Sequence, residues 1–140
     1  MLYNCTVKHE VVLDTSVIVA VLVGAPERAA LVAATAGLGL VAPRSVHWEI
    51  GNAFSAMLKR KRISESDALQ AIETYEAIPI RFVDVDLAAT LEAAARAGIY
   101  AYDAYLVVAA QEQGAPLLTL DRGLAGAARK LGVTLMEVNE

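Results

Sequence analysis

Residues 11–16 read VVLDTS, a short apolar run followed directly by an acid, Asp14. The apolar run predicts a buried β-strand, and residues 15–22 predict a helix that ends before Gly24 and Pro26. A hydrophobic core does not ordinarily hold ionised acids on its own faces. Asp14 is therefore a candidate functional residue at the end of a strand.

The rest of the chain repeats this alternation of short apolar runs and helical patterns. We predict strands over residues 11–13, 40–42, 80–85, 116–120 and 133–138. With their caps, among them Ser45, Ser64 and Asp86, the predicted helices span residues 15–22, 27–36, 45–60, 64–77, 86–98, 103–113 and 122–131. This order predicts an α/β fold whose mostly parallel sheet of about five short strands is covered by helices on both faces. We expect one domain over residues 10–140, preceded by a polar leader over residues 1–9.

The composition is that of an apolar but acidic chain. Of the 140 residues, 56% are hydrophobic, the mean hydropathy is +0.46 and the net charge is −4. The apolar excess suggests that another chain covers part of the surface. The apolar stretch 17–23 is too short to cross a bilayer, so we expect no membrane association. The single cysteine, Cys5, fits a reducing compartment, and we expect a cytoplasmic protein.

The net negative charge also limits the classes of function. It argues against a general nucleic-acid coat protein, which would be basic. It does not argue against an enzyme that acts on nucleic acid, because acids can gather at a metal site while bases lie elsewhere. The one tight basic cluster, residues 59–62, is typical of a solvated helix C-terminus.

Four acids lie at the ends of apolar segments or within one: Asp14, Glu49, Asp103 and Asp121. Asp14 and Asp121 each follow a predicted strand directly, so both project from the same edge of a parallel sheet. Glu49 shares the inward stripe of its helix with Ile50. Two like charges about 4 Å apart repel by about 4 kcal/mol at an effective dielectric constant of about 20, and a divalent cation removes that conflict. Ligation by oxygen atoms alone selects Mg²⁺ or Mn²⁺.

Each of these acids also has a purely structural interpretation. Aspartate is a favoured N-cap residue, so Asp14, Asp103 and Asp121 could each cap the helix that follows. Glu49 could lie at the edge of its stripe, with its carboxylate in water beside an arginine. These alternatives stay open for each acid alone, whereas the joint pattern favours a cation site.

The acids occur in four short motifs: VLDTS at 12–16, EIGN at 49–52, YDAYL at 102–106 and LTLDRGL at 118–124. In these motifs the chain resembles the PIN-domain ribonucleases, and more closely the VapC-type toxins of bacterial toxin–antitoxin pairs. The resemblance spans about residues 10–140. It implies a PIN-like three-layer α/β/α fold and an Mg²⁺- or Mn²⁺-dependent endoribonuclease that cleaves RNA phosphodiesters with metal-activated water.

The same resemblance implies a role for each acid. Asp14, Asp103 and Asp121 would hold the main metal ion, and Glu49 would orient the attacking water or bind a second ion. The alternative function is a non-catalytic PIN-fold interaction module whose acids are structural helix caps. That alternative predicts no RNA cleavage with Mn²⁺ and no change in melting temperature when Mn²⁺ is added.

Further residues near the acids are candidates for supporting roles. Ser16 and Thr119 could donate hydrogen bonds to the carboxylates or to water. Asn52 lies one helical turn beyond Glu49 and could support it, and Arg122 could contact a substrate phosphate. Each of these side chains also has an ordinary structural role as an alternative, as a cap, a strand end or a solvated surface group.

The resemblance also implies partners besides the RNA substrate. VapC-like proteins form homodimers and are silenced by a small VapB-like antitoxin that lies in a groove beside the active site. The predicted helix over residues 27–36 and the helix over residues 46–60 are candidate walls of that groove. The high apolar content of the chain is consistent with such partners.

Overall fold

Four short parallel strands form the central sheet of the computed structural model, which describes residues 9–139. They are β1 (Glu10–Leu13), β2 (Gly39–Pro43), β3 (Ile80–Val83) and β4 (Leu117–Leu118). The strand order is β3-β2-β1-β4, and every pairing is parallel. The sheet grows from β1 towards β3 on one side and gains β4 on the other, so the topological switch point lies between β1 and β4. The predicted α/β fold with a parallel sheet is confirmed.

Seven helices flank this sheet within residues 9–139. They are α1 (Thr15–Leu22), α2 (Arg28–Thr35), α3 (Ser45–Lys59), α4 (Glu65–Ala77), α5 (Leu87–Ala97), α6 (Ala101–Gln113) and α7 (Arg122–Lys130). α6 packs against β1 and β2, and α5 packs against α6. α1 packs against α2, α3 and α4. Over this part of the chain, no helix has both the length and the apolar character needed to cross a membrane.

The central strands are covered on both faces. Successive residues of a strand point to opposite faces, yet Val11 and Val12 of β1 are both 0% exposed. Val41 and Ala42 of β2 are also completely buried. This burial explains why the strands read as continuous apolar runs rather than as alternating patterns. The three-layer α/β/α architecture follows.

The predicted number of about five strands exceeds the four that form in residues 9–139. Residues 133–138 lie beside β4 but pair with it only at a single bridge, between Leu117 and Leu135. The Leu117 amide donates to the Thr134 carbonyl and the Met136 amide donates to the Leu117 carbonyl, both at 2.9 Å. Because β4 has only two residues, it offers residues 133–138 too few backbone hydrogen bonds for a further strand to form.

Two of the predicted helix caps form as expected. Ser64 Oγ accepts a hydrogen bond from the Asp67 amide at 3.0 Å at the start of α4. Asp86 Oδ2 accepts one from the Ala89 amide at 2.9 Å at the start of α5. Each bond satisfies an amide that the helix itself leaves free.

The predicted N-cap at Ser45 is wrong. Ser45 is the first helical residue of α3, and Arg44 takes the N-cap position without a side-chain cap. The Arg44 amide donates to the Val83 carbonyl at 3.2 Å, so the turn into α3 is anchored on β3 directly after Pro43 ends β2. The predicted leader, apart from His9, and the single cysteine, Cys5, lie outside the described residues.

Candidate active site

Asp14 directly follows β1 and occupies the N-cap position of α1, but its carboxylate does not cap that helix. Instead Oδ2 accepts two hydrogen bonds at 2.7 Å, from Ser16 Oγ and from Thr119 Oγ1. The side chain is buried, with the residue only 6% exposed. The capping interpretation of Asp14 is therefore wrong, and the carboxylate is held by hydroxyls from two different elements.

The same two hydroxyls connect β1 to the loop that follows β4. Ser16 Oγ accepts a hydrogen bond from the Leu120 amide at 3.0 Å, and Thr119 Oγ1 accepts one from the Asp121 amide at 2.9 Å. Each hydroxyl thus donates to Asp14 and accepts from the loop. The structure brings both predicted supporting residues onto Asp14, and the network fixes the two strand ends relative to one another.

Asp121 does act as a helix cap. Its Oδ1 accepts a hydrogen bond from the Leu124 amide at 3.0 Å at the start of α7. Gly123 leaves room for this carboxylate, since a Cβ there would lie 3.2 Å from Asp121 Oδ1. The capping interpretation is correct for Asp121, and the cap orients an exposed carboxylate beside the Thr119 loop.

Asp103 is the third residue of α6 rather than its cap, because α6 begins at Ala101 and Tyr100 takes the N-cap position. The predicted helix start at Asp103 is thus two residues late. The pKa of Asp103 is raised by burial and then by the negative charges of Asp121 and Asp14. The capping interpretation is therefore wrong for Asp103.

Glu49 lies on α3, partly buried. Burial, followed by the charges of Asp14 and Asp103, raises its pKa to about 7, against an opposing effect of the Thr15 hydroxyl. Glu49 Oε1 and Thr15 Oγ1 are both buried, and neither meets hydrogen-bonding geometry with any group among residues 9–139. The Thr15 hydroxyl therefore lies close enough to influence Glu49 without forming a good hydrogen bond.

The proposed arginine partner of Glu49 is not found in this part of the chain. The two ion pairs within residues 9–139 join Arg44 to Asp84 and Arg81 to Glu10. Among the described residues, Glu49 is thus a partly buried acid that forms no ion pair and lies near the charges of Asp14 and Asp103.

The four acids lie close enough for their charges to act on one another. Glu49 responds to Asp14 and Asp103, while Asp103 responds to Asp14 and Asp121. Asp14 and Asp121 follow neighbouring parallel strands, so they share the carboxyl edge at the switch point. Within residues 9–139, no three acidic, histidine or cysteine side chains already stand in a metal-holding arrangement. The acids are gathered at one edge but are not closed around a common centre.

The chemistry of this donor set suits a hard divalent cation. All four groups are carboxylates, and oxygen ligands prefer Mg²⁺ or Mn²⁺. Glu49 Oε1 is a buried oxygen without a partner among residues 9–139, and the pKa values of Glu49 and Asp103 are raised by burial and by neighbouring negative charge. A bound cation would offset both penalties.

The two remaining predicted residues lie at the periphery. Asn52 is exposed on α3, and Arg122 is exposed as the first residue of α7. None of the side-chain hydrogen bonds described for residues 9–139 joins either of them to an acid. Sequence reasoning gave no role to Thr15 or Gly123, although both lie within the motifs that it singled out.

Comparisons with known proteins agree with this fold. The family model of the PIN domain matches residues 11–130. PAE2754 from Pyrobaculum aerophilum is 21% identical, with 85% of this chain and 79% of that chain covered and a TM-score of 0.68. VapBC2 from Rickettsia felis, bound to a DNA fragment from their promoter, is 13% identical, with 93% and 99% covered and a TM-score of 0.66.

A third similar structure is the sarcin-ricin loop cleaving toxin VapC20 from Mycobacterium tuberculosis. It is 15% identical, with 84% of this chain and 94% of that chain covered and a TM-score of 0.60. At these identities the likeness is one of fold. No curated protein matches the chain.

Proposed function

Because this chain belongs to the PIN domain family, we propose that it is a metal-dependent endoribonuclease, the toxin component of a VapBC-type toxin–antitoxin pair. The observation that carries this proposal is the gathering of four acids, from β1, α3, α6 and the β4–α7 loop, at one edge of the sheet. Like charges are not gathered in this way without a function or a counter-ion that offsets the repulsion.

Asp14, Glu49, Asp103 and Asp121 would hold Mg²⁺ or Mn²⁺. The chemistry that such an ion supplies when bound is activation of water and neutralisation of charge on a phosphate. The protein's own part is orientation: Ser16 and Thr119 hold Asp14 through its Oδ2, and the α7 cap holds Asp121.

Glu49 is the residue best suited to the attacking water. Its Oε1 is buried and has no partner within residues 9–139, so it is available as a hydrogen-bond acceptor for that water. Water would attack phosphorus in line, and the 3′-oxygen would leave. The products would carry a 5′-phosphate and a 3′-hydroxyl.

An antitoxin of the VapB type is the proposed protein partner, and a homodimer is the proposed assembly. A cavity of about 200 Å³ with an almost entirely apolar lining lies beside α1 and α2, where Val17, Val21 and Leu31 line it. Val32 on α2 is exposed at the same place. The apolar lining suits an amphipathic segment of a partner chain, with α2 as a predicted wall and α1, rather than α3, as the other.

RNA cleavage in Mn²⁺ tests the catalytic proposal, with Asp14→Asn as the diagnostic variant. Loss of a group that only orients a metal ligand typically costs about 10–100-fold. Loss of a ligand itself should therefore lower the cleavage rate by more than about 100-fold. Asp67→Asn, the same change at an exposed position on α4, should cleave at the parental rate.

The result also decides between the two candidate functions. Equal cleavage by Asp14→Asn and the parent would overturn the catalytic assignment. A parent that neither cleaves RNA nor gains thermal stability from Mn²⁺ would instead support an interaction module, as the cap at Asp121 favours.

A further inference from the structure

A second cavity, of about 360 Å³, lies at the carboxyl ends of β2 and β3. Pro43 and Val83, the last residues of these strands, line its floor together with Ser45 at the start of α3. The sheet is parallel and ordered β3-β2-β1-β4, so this cavity shares one edge of the sheet with the acids that follow β1 and β4. Neighbouring strands are about 4.8 Å apart, which places the cavity roughly 10 Å from the acids.

Three aromatic side chains line this cavity: Trp48 from α3 and Tyr102 and Tyr105 from α6. Trp48 is 62% exposed and Tyr102 is 53% exposed. Large aromatic rings are usually buried by more than this, so two exposed rings that line one cavity indicate a binding surface.

Contacts from behind hold both exposed rings in place. The ring of Trp48 lies edge-to-face with His47, at 6.4 Å between centroids. His47 Nδ1 lies 3.2 Å from the hydroxyl of Tyr75, which is only 4% exposed. Tyr102 lies edge-to-face with Tyr105 at 6.0 Å. The rings are therefore braced against the fold while most of their surface stays free.

We propose that Trp48 and Tyr102 form a stacking platform for an unpaired base of single-stranded RNA. The proposal rests on the proposed ribonuclease function, and it names how the substrate is positioned. Trp48 directly precedes Glu49 and Tyr102 directly precedes Asp103 in the chain. A base held by these rings thus belongs to a nucleotide next to the phosphodiester at the acids.

Stacking suits this chain because its charge opposes RNA. The net charge is −4 and the acids repel phosphates, so contacts that do not depend on positive charge are of particular value for affinity. Every base has a face that stacks on an aromatic ring, and single-stranded RNA presents unstacked bases. Arg44 and Asp84 also line the cavity, and the ion pair that joins them is exposed on both sides, so Arg44 can turn towards a phosphate at little cost.

Intrinsic fluorescence offers a direct test, because Trp48 is the only tryptophan of the chain. Short oligoadenylate and oligouridylate are titrated into the full chain in EDTA, which prevents metal-dependent cleavage. Stacking should quench the emission of Trp48, whereas an abasic oligoribonucleotide of the same length should not. Quenching that is equal with the abasic probe, or absent with all three, overturns the platform.

Substitutions measured by fluorescence anisotropy of labelled oligoadenylate give a second readout. Trp48→Ala and Tyr102→Ala should each weaken binding by about 5- to 150-fold, the range for loss of one stacked base. Trp48→Phe should recover most of the loss. The matched control is Tyr100→Ala, which removes an exposed tyrosine two positions from Tyr102 that does not line the cavity. Parental binding by Trp48→Ala would contradict the proposal.

A second copy of this chain is the other occupant that the rings could accept. Light scattering on the same variants decides this point: if Trp48→Ala dissociates an oligomer and oligoadenylate leaves the emission unchanged, the surface is a self-association interface and the platform is wrong.

The readouts also separate this proposal from the catalytic one. Quenching in EDTA without cleavage in Mn²⁺ would support the stacking platform and reject the nuclease. Cleavage in Mn²⁺ without quenching would support the nuclease and reject the platform.

Discussion

Glu49 is the acid of the site whose ionised form is most disfavoured by burial and by its acidic neighbours. It is partly buried, Asp14 and Asp103 face it, and its pKa is raised to about 7. A raised pKa means that folding favours the protonated form. The contribution to stability is therefore fully present below the ordinary pKa of 4.5 and is lost as the pH rises through about 7.

Replacing Glu49 by Gln should stabilise the metal-free protein at high pH. Glutamine resembles the neutral acid and never ionises, so Glu49→Gln avoids the loss that the parent suffers as the pH rises. One pKa unit corresponds to about 1.36 kcal/mol. After a discount for solvent screening we expect a gain in the free energy of unfolding of about 1–2 kcal/mol near pH 8.

Urea unfolding in EDTA at about pH 8 and at about pH 5 measures this difference, which should shrink towards zero at the lower pH. Glu92→Gln, on the exposed face of α5, is the matched control and should differ little from the parent at either pH. A Glu49→Gln variant that is less stable than the parent at pH 8 would mean that the carboxylate is favourably placed as an anion.

At the scale of elements, the site depends on a junction between β1 and the β4–α7 loop. Thr119 Oγ1 donates to Asp14 Oδ2 at 2.7 Å and accepts from the Asp121 amide at 2.9 Å. One hydroxyl thus orients one acid and the backbone of another. Parallel strands place these groups side by side, and the hydroxyl fixes their relative position.

Replacing Thr119 by Val should weaken both stability and activity. Valine keeps the shape of the side chain but leaves the buried Asp14 carboxylate with one fewer donor, and bonds to charged groups contribute about 1.5–3 kcal/mol. We expect a loss of about 1–3 kcal/mol in the free energy of unfolding. The cleavage rate in Mn²⁺ should fall by about 10–100-fold, as for other groups that orient ligands.

Thr119→Ser restores the hydroxyl and is the matched control for this measurement. Urea unfolding and RNA cleavage rates should return most of the way to those of the parent. If Thr119→Val is as active as the parent, the junction stabilises the fold without positioning the acids.

Local signals explain which elements the sequence could predict. The bounds of α1 agree with prediction because Gly24 and Pro26 end the helix, and Asp86 and Gly98 mark the two ends of α5 through a cap and a backbone φ of +65°. The fifth strand could not be predicted correctly, since a strand needs a partner of sufficient length and β4 has two residues.

In the candidate site, too, residues marked by a local signal could be predicted and residues that depend on packing could not. Asp14 and Asp121 could be found because an acid that directly follows a strand of a parallel sheet lies at the carboxyl edge of that sheet, where sites form. Thr15 and Gly123 could not, because their relevance depends on how α3 packs against α1 and how the Asp121 cap turns. Sequence alone also left each capping interpretation open. Only the hydrogen bonds show that Asp121 caps its helix whereas the Asp14 carboxylate accepts from Thr119 instead.

At the scale of the whole molecule, the strand order places the two proposed sites side by side along one edge of the sheet. The acids lie at the switch point between β1 and β4, and the aromatic cavity lies at the ends of β2 and β3. α3 and α6 each cross from one to the other, since Trp48 neighbours Glu49 and Tyr102 neighbours Asp103. The edge thus combines a negative centre with an aromatic surface.

A cation that binds this negative centre should stabilise the whole fold. Because the unfolded chain disperses the four acids, an ion at about 100 times its dissociation constant would add about 2.7 kcal/mol to the free energy of unfolding. For a chain of this length that corresponds to a rise in Tm of roughly 5–15 °C with Mn²⁺ at pH 7.5 or so. Binding must displace the proton from Glu49, whose pKa is about 7, so the rise in Tm should shrink as the pH falls below that value.

Differential scanning fluorimetry with and without Mn²⁺ measures this effect, and the variants assign it. Asp103→Asn and Asp121→Asn should each reduce the rise in Tm, whereas Asp67→Asn on α4 should retain it. Both variants also remove a negative charge from the cluster and so change Tm without metal, while asparagine at position 121 can still accept the hydrogen bond that caps α7. The shift between the two conditions, rather than Tm itself, therefore reports the ion. A Tm that Mn²⁺ leaves unchanged in the parent would mean that the gathered acids do not bind this cation in the folded protein.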